Sequence, residues 1–162
     1  MLKSIPFEVS LANKQSIILP SEYIAQFITN KHKRIKVKAS FKDKKLEFYA
    51  ALKYEKSGLF RIYFSKAKQA EMDIFPNDYF TLQVFEDNSK YGVELSEEFE
   101  AVLISDYEAF TIFESLTPGK QRSIIYAISR YKSSQTKIDK SLIFTTNLKR
   151  GITDPKQWLK QN

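Results

Sequence analysis

Up to about residue 104 the alternation of apolar and polar positions has a period of two. In RIKVKASF, Ile35, Val37, Ala39 and Phe41 fall on one side and Arg34, Lys36, Lys38 and Ser40 on the other, which predicts a strand with one buried face. KDKK at 42–45 is then a polar turn. LEFYAALKY predicts a second strand, LFRIYF after Ser57-Gly58 a third, and YFTLQVFED after Pro76-Asn77-Asp78 a fourth. PFEVSLA and QSIIL precede them as strands, and KYGVEL follows as another. Two short helices interrupt the series. One starts at Pro20 and carries Tyr23, Ile24, Phe27 and Ile28; the other is SKAKQAEMDIF. Many short strands with a few helical turns predict a small closed β-barrel, because closure removes sheet edges.

After Ser105 the period becomes 3.6. Tyr107, Phe110, Phe113 and Leu116 share one face of a first helix, which ends before Thr117-Pro118, the start of a second. Ile124, Ile125, Ile128 and Tyr131 give the second its buried stripe. Ile138, Leu142, Ile143 and Leu148 serve a third, with Gly151 where a helix C-cap is favoured. The pattern therefore predicts an α+β chain, with a closed β-barrel domain over residues 1–104 and a three-helix module over 105–162. The tail ITDPKQWLKQN either docks through Trp158 and Leu159 or stays loose.

The length of 162 residues suits one domain or two tightly joined small ones. Thirteen Phe and nine Tyr supply bulky core material. The absence of cysteine excludes disulfides, thiolate catalysis and sulfur-ligated metals. With His32 the single histidine, a structural zinc site or a Ser-His-Asp triad is left almost without its usual groups, so no metal is expected. Four glycines, at 58, 92, 119 and 151, cannot assemble a glycine-rich phosphate loop, and no cofactor is implied. Pro6 and Glu8 break the apolar run of the first residues, and nowhere do about 18 apolar residues follow one another. The expectation is a cytoplasmic protein with no membrane span.

Basic residues number 26 against 19 acidic ones. Residues 1–104 hold 16 and 14, residues 105–162 hold 10 and 5, so the excess falls in the C-terminal third and favours an anionic ligand or partner there.

One stretch in that third stands out. In RYKSSQTKIDKS at 130–141, Lys132, Thr136 and Lys140 are spaced i, i+4, i+8, a stripe on one continuous helix, with Gln135 and Lys137 beside it. With a break at Ser133-Ser134 instead, one of these serines is an N-cap and the first turn, with its free amides and nearby ammonium groups, is a candidate anion site. The plainer alternative is a set of solvated side chains beside a capped terminus. A catalytic Lys132 would require burial or a neighbouring cation.

KHKRIKVK invites a nucleic-acid reading, yet the alternation explains its lysines as the wet face of a half-buried strand, and its interleaved residues are aliphatic rather than stacking aromatics. Phosphate contact without sequence reading stays open. The carboxylates Glu71, Asp73, Asp78, Glu86, Asp87, Glu94, Glu97, Glu98 and Glu100 match no metal-loop spacing and read as solvated loop and strand-end residues.

Phe113, Leu116, Pro118 and Ile128, followed by Lys132, Gln135, Thr136, Lys137 and Lys140, resemble the F, L, P, I and AK-x-x-ET-R-x-x-R pattern of the bacterial YdeI or OmpD-associated bacteriocin-protection family. Lys132 and Thr136 match. Tyr131 stands for alanine, Gln135 for glutamate, and Lys137 and Lys140 for arginines, so charge is kept and bidentate guanidinium geometry is not. The preceding region is similar to a domain of unknown function often fused ahead of that module, through Leu19-Pro20, Ser57-Gly58, Phe64 to Lys66, and Asn77-Asp78 followed by Phe80, Leu82, Val84 and Asp87. The resemblance implies a small closed barrel with a helical appendix. It also implies a link to tolerance of bacteriocins or cationic peptides and to an outer-membrane porin.

The expected function is that of a non-enzymatic binding or stress-tolerance protein, in which Lys132, Gln135, Thr136, Lys137 and Lys140 meet an anionic ligand or protein partner. Nonspecific nucleic-acid binding by the same surface, helped by Lys33 to Lys38, is one alternative; an enzyme using Lys132 is another. For a protein partner, Trp158 is the expected apolar anchor.

Overall fold

The alternating stretches become seven antiparallel strands among the described residues, 1–161, of the computed structural model. They are β1 (Phe7–Val9), β2 (Ser16–Leu19), β3 (Arg34–Phe41), β4 (Lys44–Ala51), β5 (Lys53–Tyr54), β6 (Phe60–Tyr63) and β7 (Phe80–Glu86). Helix α1 (Ser21–Thr29) lies between β2 and β3, with Pro20 as its N-cap rather than its first residue. Helix α2 (Lys66–Glu71) follows β6, and the Ser65 hydroxyl accepts from the Lys68 amide at 3.2 Å to start it.

The chain divides into two compact units, one from Met1 to Asn88 and one beginning at Ser89. In the first, the strands form two sheets, ordered β1-β7-β3-β4 and β2-β6-β5. The expected closed barrel is not found. LEFYAALKY, read as one strand, breaks at Leu52: residues up to Ala51 pair with β3, whereas Lys53 and Tyr54 pair with β6. The Leu52 amide donates to the Lys33 carbonyl at 2.8 Å, just where β3 begins, so the ladder changes partner there and both sheets keep open edges. Their inward residues, including Ile17, Ile35, Val37, Ile62 and Leu82, share one core with Phe27 of α1.

Among the described residues the second unit holds four α-helices where three were expected, α3 (Glu97–Ser105), α4 (Tyr107–Ser115), α5 (Pro118–Ser129) and α6 (Ser134–Lys149), and a 3-10 turn over Pro155–Gln157. KYGVEL is not a strand, and its Val93 is buried in the helical core. The missed helix begins where the carboxylates read as loop residues lie. The Ser96 hydroxyl accepts from the Phe99 amide at 3.3 Å, Glu97, Glu98 and Glu100 complement the positive end of the helix dipole, and Phe99, Val102 and Leu103 are buried. Because α3 crosses residues 104 and 105, the division falls earlier than the change of period suggests. Tyr107, expected on the buried face of α4, is 85% exposed.

Phe99, Phe113, Phe144 and Trp158 meet edge to face, with centroids 5.2 to 6.2 Å apart. Gly151, at φ 82, ends α6: its amide donates to the Leu148 carbonyl and that of Ile152 to the Asn147 carbonyl. The tail then docks. Trp158 is fully buried and its Nε1 donates to the Ile152 carbonyl at 2.8 Å. The buried Asn147 amide donates to the carbonyls of Trp158 at 2.9 Å, Lys160 at 3.0 Å and Gln157 at 3.3 Å. Among the described residues no helix is long and apolar enough to cross a membrane.

Candidate functional site

The connection between α5 and α6 takes the broken form of the two arrangements open to RYKSSQTKIDKS. Arg130 closes α5, and Ser133 is the N-cap of α6. The Ser133 Oγ accepts from the Thr136 amide at 3.0 Å and donates to Thr136 Oγ1 at 2.7 Å. Lys132 therefore lies ahead of α6, and the i, i+4, i+8 stripe does not form on one helix.

The five residues singled out by the sequence have separate surroundings. Lys132 is exposed, and among the described residues no ion pair or hydrogen bond holds it. Gln135 is exposed and donates through Nε2 to Asp139 Oδ1 at 2.9 Å. Thr136 is engaged with Ser133. Lys140 places its ammonium 5.6 Å from the centre of the Tyr131 ring, a cation–π contact. Among the described residues Lys137 makes no close ion pair, but its charge reaches Glu98, whose carboxyl is held below its ordinary range first by its own backbone amide, then by the Ser134 hydroxyl and last by Lys137.

Glu98 is the residue that sequence reasoning missed here. Its signal was present in Ser96 followed by Glu97-Glu98 and by Phe99, Val102 and Leu103 at helical spacing. It lines an open groove of about 390 Å³ with Glu97, Ala101, Val102, Ser134 and Ile138. A carboxylate beside the first turn of α6, together with the Ser133 cap, opposes an anion seated on that terminus. Lys132, one step outside it, is the uncommitted lysine of this connection, and the exposed Arg130 precedes it.

Two other residues singled out by the sequence have defined surroundings. Trp158, fully buried, is a core residue of the second unit and not a surface anchor for a partner. His32 Nε2 lies 3.8 Å from Glu86 and its ring stands edge-on to Phe27. Among the described residues no group of three or more His, Asp or Glu is positioned to hold a metal ion.

Residues 92–151 match the model of the family described as Bacteriocin-protection, YdeI or OmpD-Associated, the family that the sequence around this connection resembles. No curated protein matches this chain. The solution structure of PHS018 from Pyrococcus horikoshii is similar over 55% of this chain and 100% of its own, at 14% identity and a TM-score of 0.40, too slight a likeness to bear on fold or function.

Proposed function

We propose that the chain is a non-enzymatic, bacteriocin-protection-like binding protein of the cytoplasm, whose α5–α6 connection meets an anionic group on a protein partner through Lys132. The observation that supports this reading is the contrast among the lysines of the family-matched segment. Tyr131 holds Lys140 and the charge of Lys137 reaches Glu98, whereas Lys132 is exposed and uncommitted. An exposed, hydrated ammonium is a point charge suited to a partner's carboxylate or phosphate. The same exposure speaks against Lys132 as a general base or Schiff-base amine, which needs desolvation. Nucleic-acid binding by the α6 lysines is poorly served, because Glu98 stands among them.

The test is growth of a bacterial host under a bacteriocin or cationic peptide, with and without the expressed chain. Protection by the wild type, lost in Lys132→Glu and kept in Lys160→Glu, is the expected result. Equal protection by both variants removes Lys132 from the reading, and no protection by the wild type removes the family-like role.

A further inference from the structure

Strand register brings together side chains that no single strand shows side by side. Lys36 lies opposite Tyr49 of β4 and opposite Phe85 of β7, and Phe85 in turn lies opposite Lys3. Paired positions share a face of a sheet. One row across the outward face therefore runs Lys3, Phe85, Lys36, Tyr49, alternating cation and ring, and the next row holds Gln83, Lys38 and Glu47. The Lys38 ammonium lies 4.8 Å from the Phe85 ring centre and that of Lys36 6.0 Å from the Tyr49 ring centre. Both rings are only partly buried, and Lys3 and Lys38 are exposed. The aliphatic residues interleaved along KHKRIKVK point inward; the aromatic ones come from the neighbouring strands.

We infer that this face binds single-stranded nucleic acid, with bases stacking on Phe85 and Tyr49 and phosphates met by Lys3, Lys36 and Lys38. Charge supports it: residues 1–88 hold 15 basic and 10 acidic side chains, residues 89–162 hold 11 and 9, so the excess belongs mainly to the first unit. Ring placement supports it as well. Phe85 and Tyr49 sit two strands apart, about 10 Å, so each takes a separate base. Unstacked bases of a single strand reach such rings, and those of a duplex do not. Glu47 lies 3.3 Å from Lys36 and 3.4 Å from Lys38, occupying in the free protein the cations that a phosphate would take. It is a built-in competitor, and removing its charge favours the ligand. This inference stands apart from the Lys132 reading, which concerns the other unit.

The test is fluorescence anisotropy of a labelled oligodeoxythymidine at about 50 and about 200 mM salt, with a labelled duplex and heparin as competitors. The expected result is salt-sensitive binding that prefers the single strand. Replacing both rings, Tyr49→Leu with Phe85→Leu, keeps apolar cover on the sheet and weakens binding roughly tenfold or more. Lys36→Gln with Lys38→Gln lowers the slope of log affinity against log salt by about 1.4. Glu47→Gln tightens binding. Circular dichroism verifies that each variant is folded, and a ring pair that unfolds is replaced by Tyr49→Leu and Phe85→Leu taken singly. No binding at about 50 mM salt overturns the inference. So does binding that folded ring variants leave unchanged, which marks a mere polyanion patch.

Discussion

Asp106 serves two elements at once. Its Oδ1 accepts from the Ala109 amide at 3.1 Å as the N-cap of α4, and its Oδ2 lies 2.7 Å from the Lys149 ammonium in the last turn of α6. Lys149 first, and the amide second, hold the Asp106 carboxyl below its ordinary range, while Asp106 raises Lys149. A carboxyl whose pKa is lower in the folded chain adds stability above its unfolded value, and that stability is lost as pH falls through the folded one. For Lys149 the contribution is present below the unfolded value and lost as pH rises through the folded one. The link is intact at neutral pH. Asp106→Asn should therefore lower the urea midpoint of the second unit at pH 7, and the difference from wild type should shrink as pH falls below the ordinary aspartate value of about 3.9. A midpoint difference that persists unchanged in acid would count against the ion pair. At this scale the candidate residues themselves were legible, but their partners were not: Glu98 reaches Ser134 and Lys137 only because α3 exists, and the row of Lys36, Tyr49 and Phe85 exists only once register is set.

Among the elements, α1, α2 and the helices α4 to α6 follow in position from caps and apolar spacing in the sequence, but the buried face of α6 does not: Leu142 is 49% exposed, Phe144 and Thr145 are buried in its stead beside Leu148, and Tyr131 lies beyond the end of α5. Two local misreadings have local causes. Tyr91, Val93 and Leu95 alternate like a strand although all three serve the helical core, and three glutamates in one turn hide the apolar face of α3. The missing barrel closure has a distant cause, since no Gly or Pro marks Leu52 and only the neighbouring chains decide where the pairing changes. The end of α6 was legible because Gly151 must adopt a left-handed conformation. Nothing lies within 4 Å of a Cβ built there, so Gly151→Ala meets no clash and costs only the backbone preference, about 1 kcal/mol in denaturant titrations. Ser133→Ala removes a cap and should lower stability by about 1 kcal/mol as well. A loss much larger in either variant would mean a role beyond the helix end.

For the whole molecule, the place of the division decides where the charge lies. Cutting at the change of period assigns the positive excess to the C-terminal third, whereas the compact units assign most of it to the first, because residues 89–104 bring four glutamates and one lysine to the second. The tail of that second unit is held by Asn147. Asn147→Ala removes the side-chain donor to the Trp158 and Lys160 carbonyls, whereas the Gln157 carbonyl keeps the Lys160 amide at 3.2 Å, and should destabilise the unit by about 1–3 kcal/mol, with faster amide exchange over residues 155–161. Unchanged exchange would show the tail held by its apolar contacts alone. The docked Trp158 is also the single tryptophan of the chain. Its emission is a private spectroscopic signal of the second unit, while the far-ultraviolet dichroism of the peptide bonds records both. Following the two signals through one unfolding curve separates the melting of the second unit from that of the first without any label.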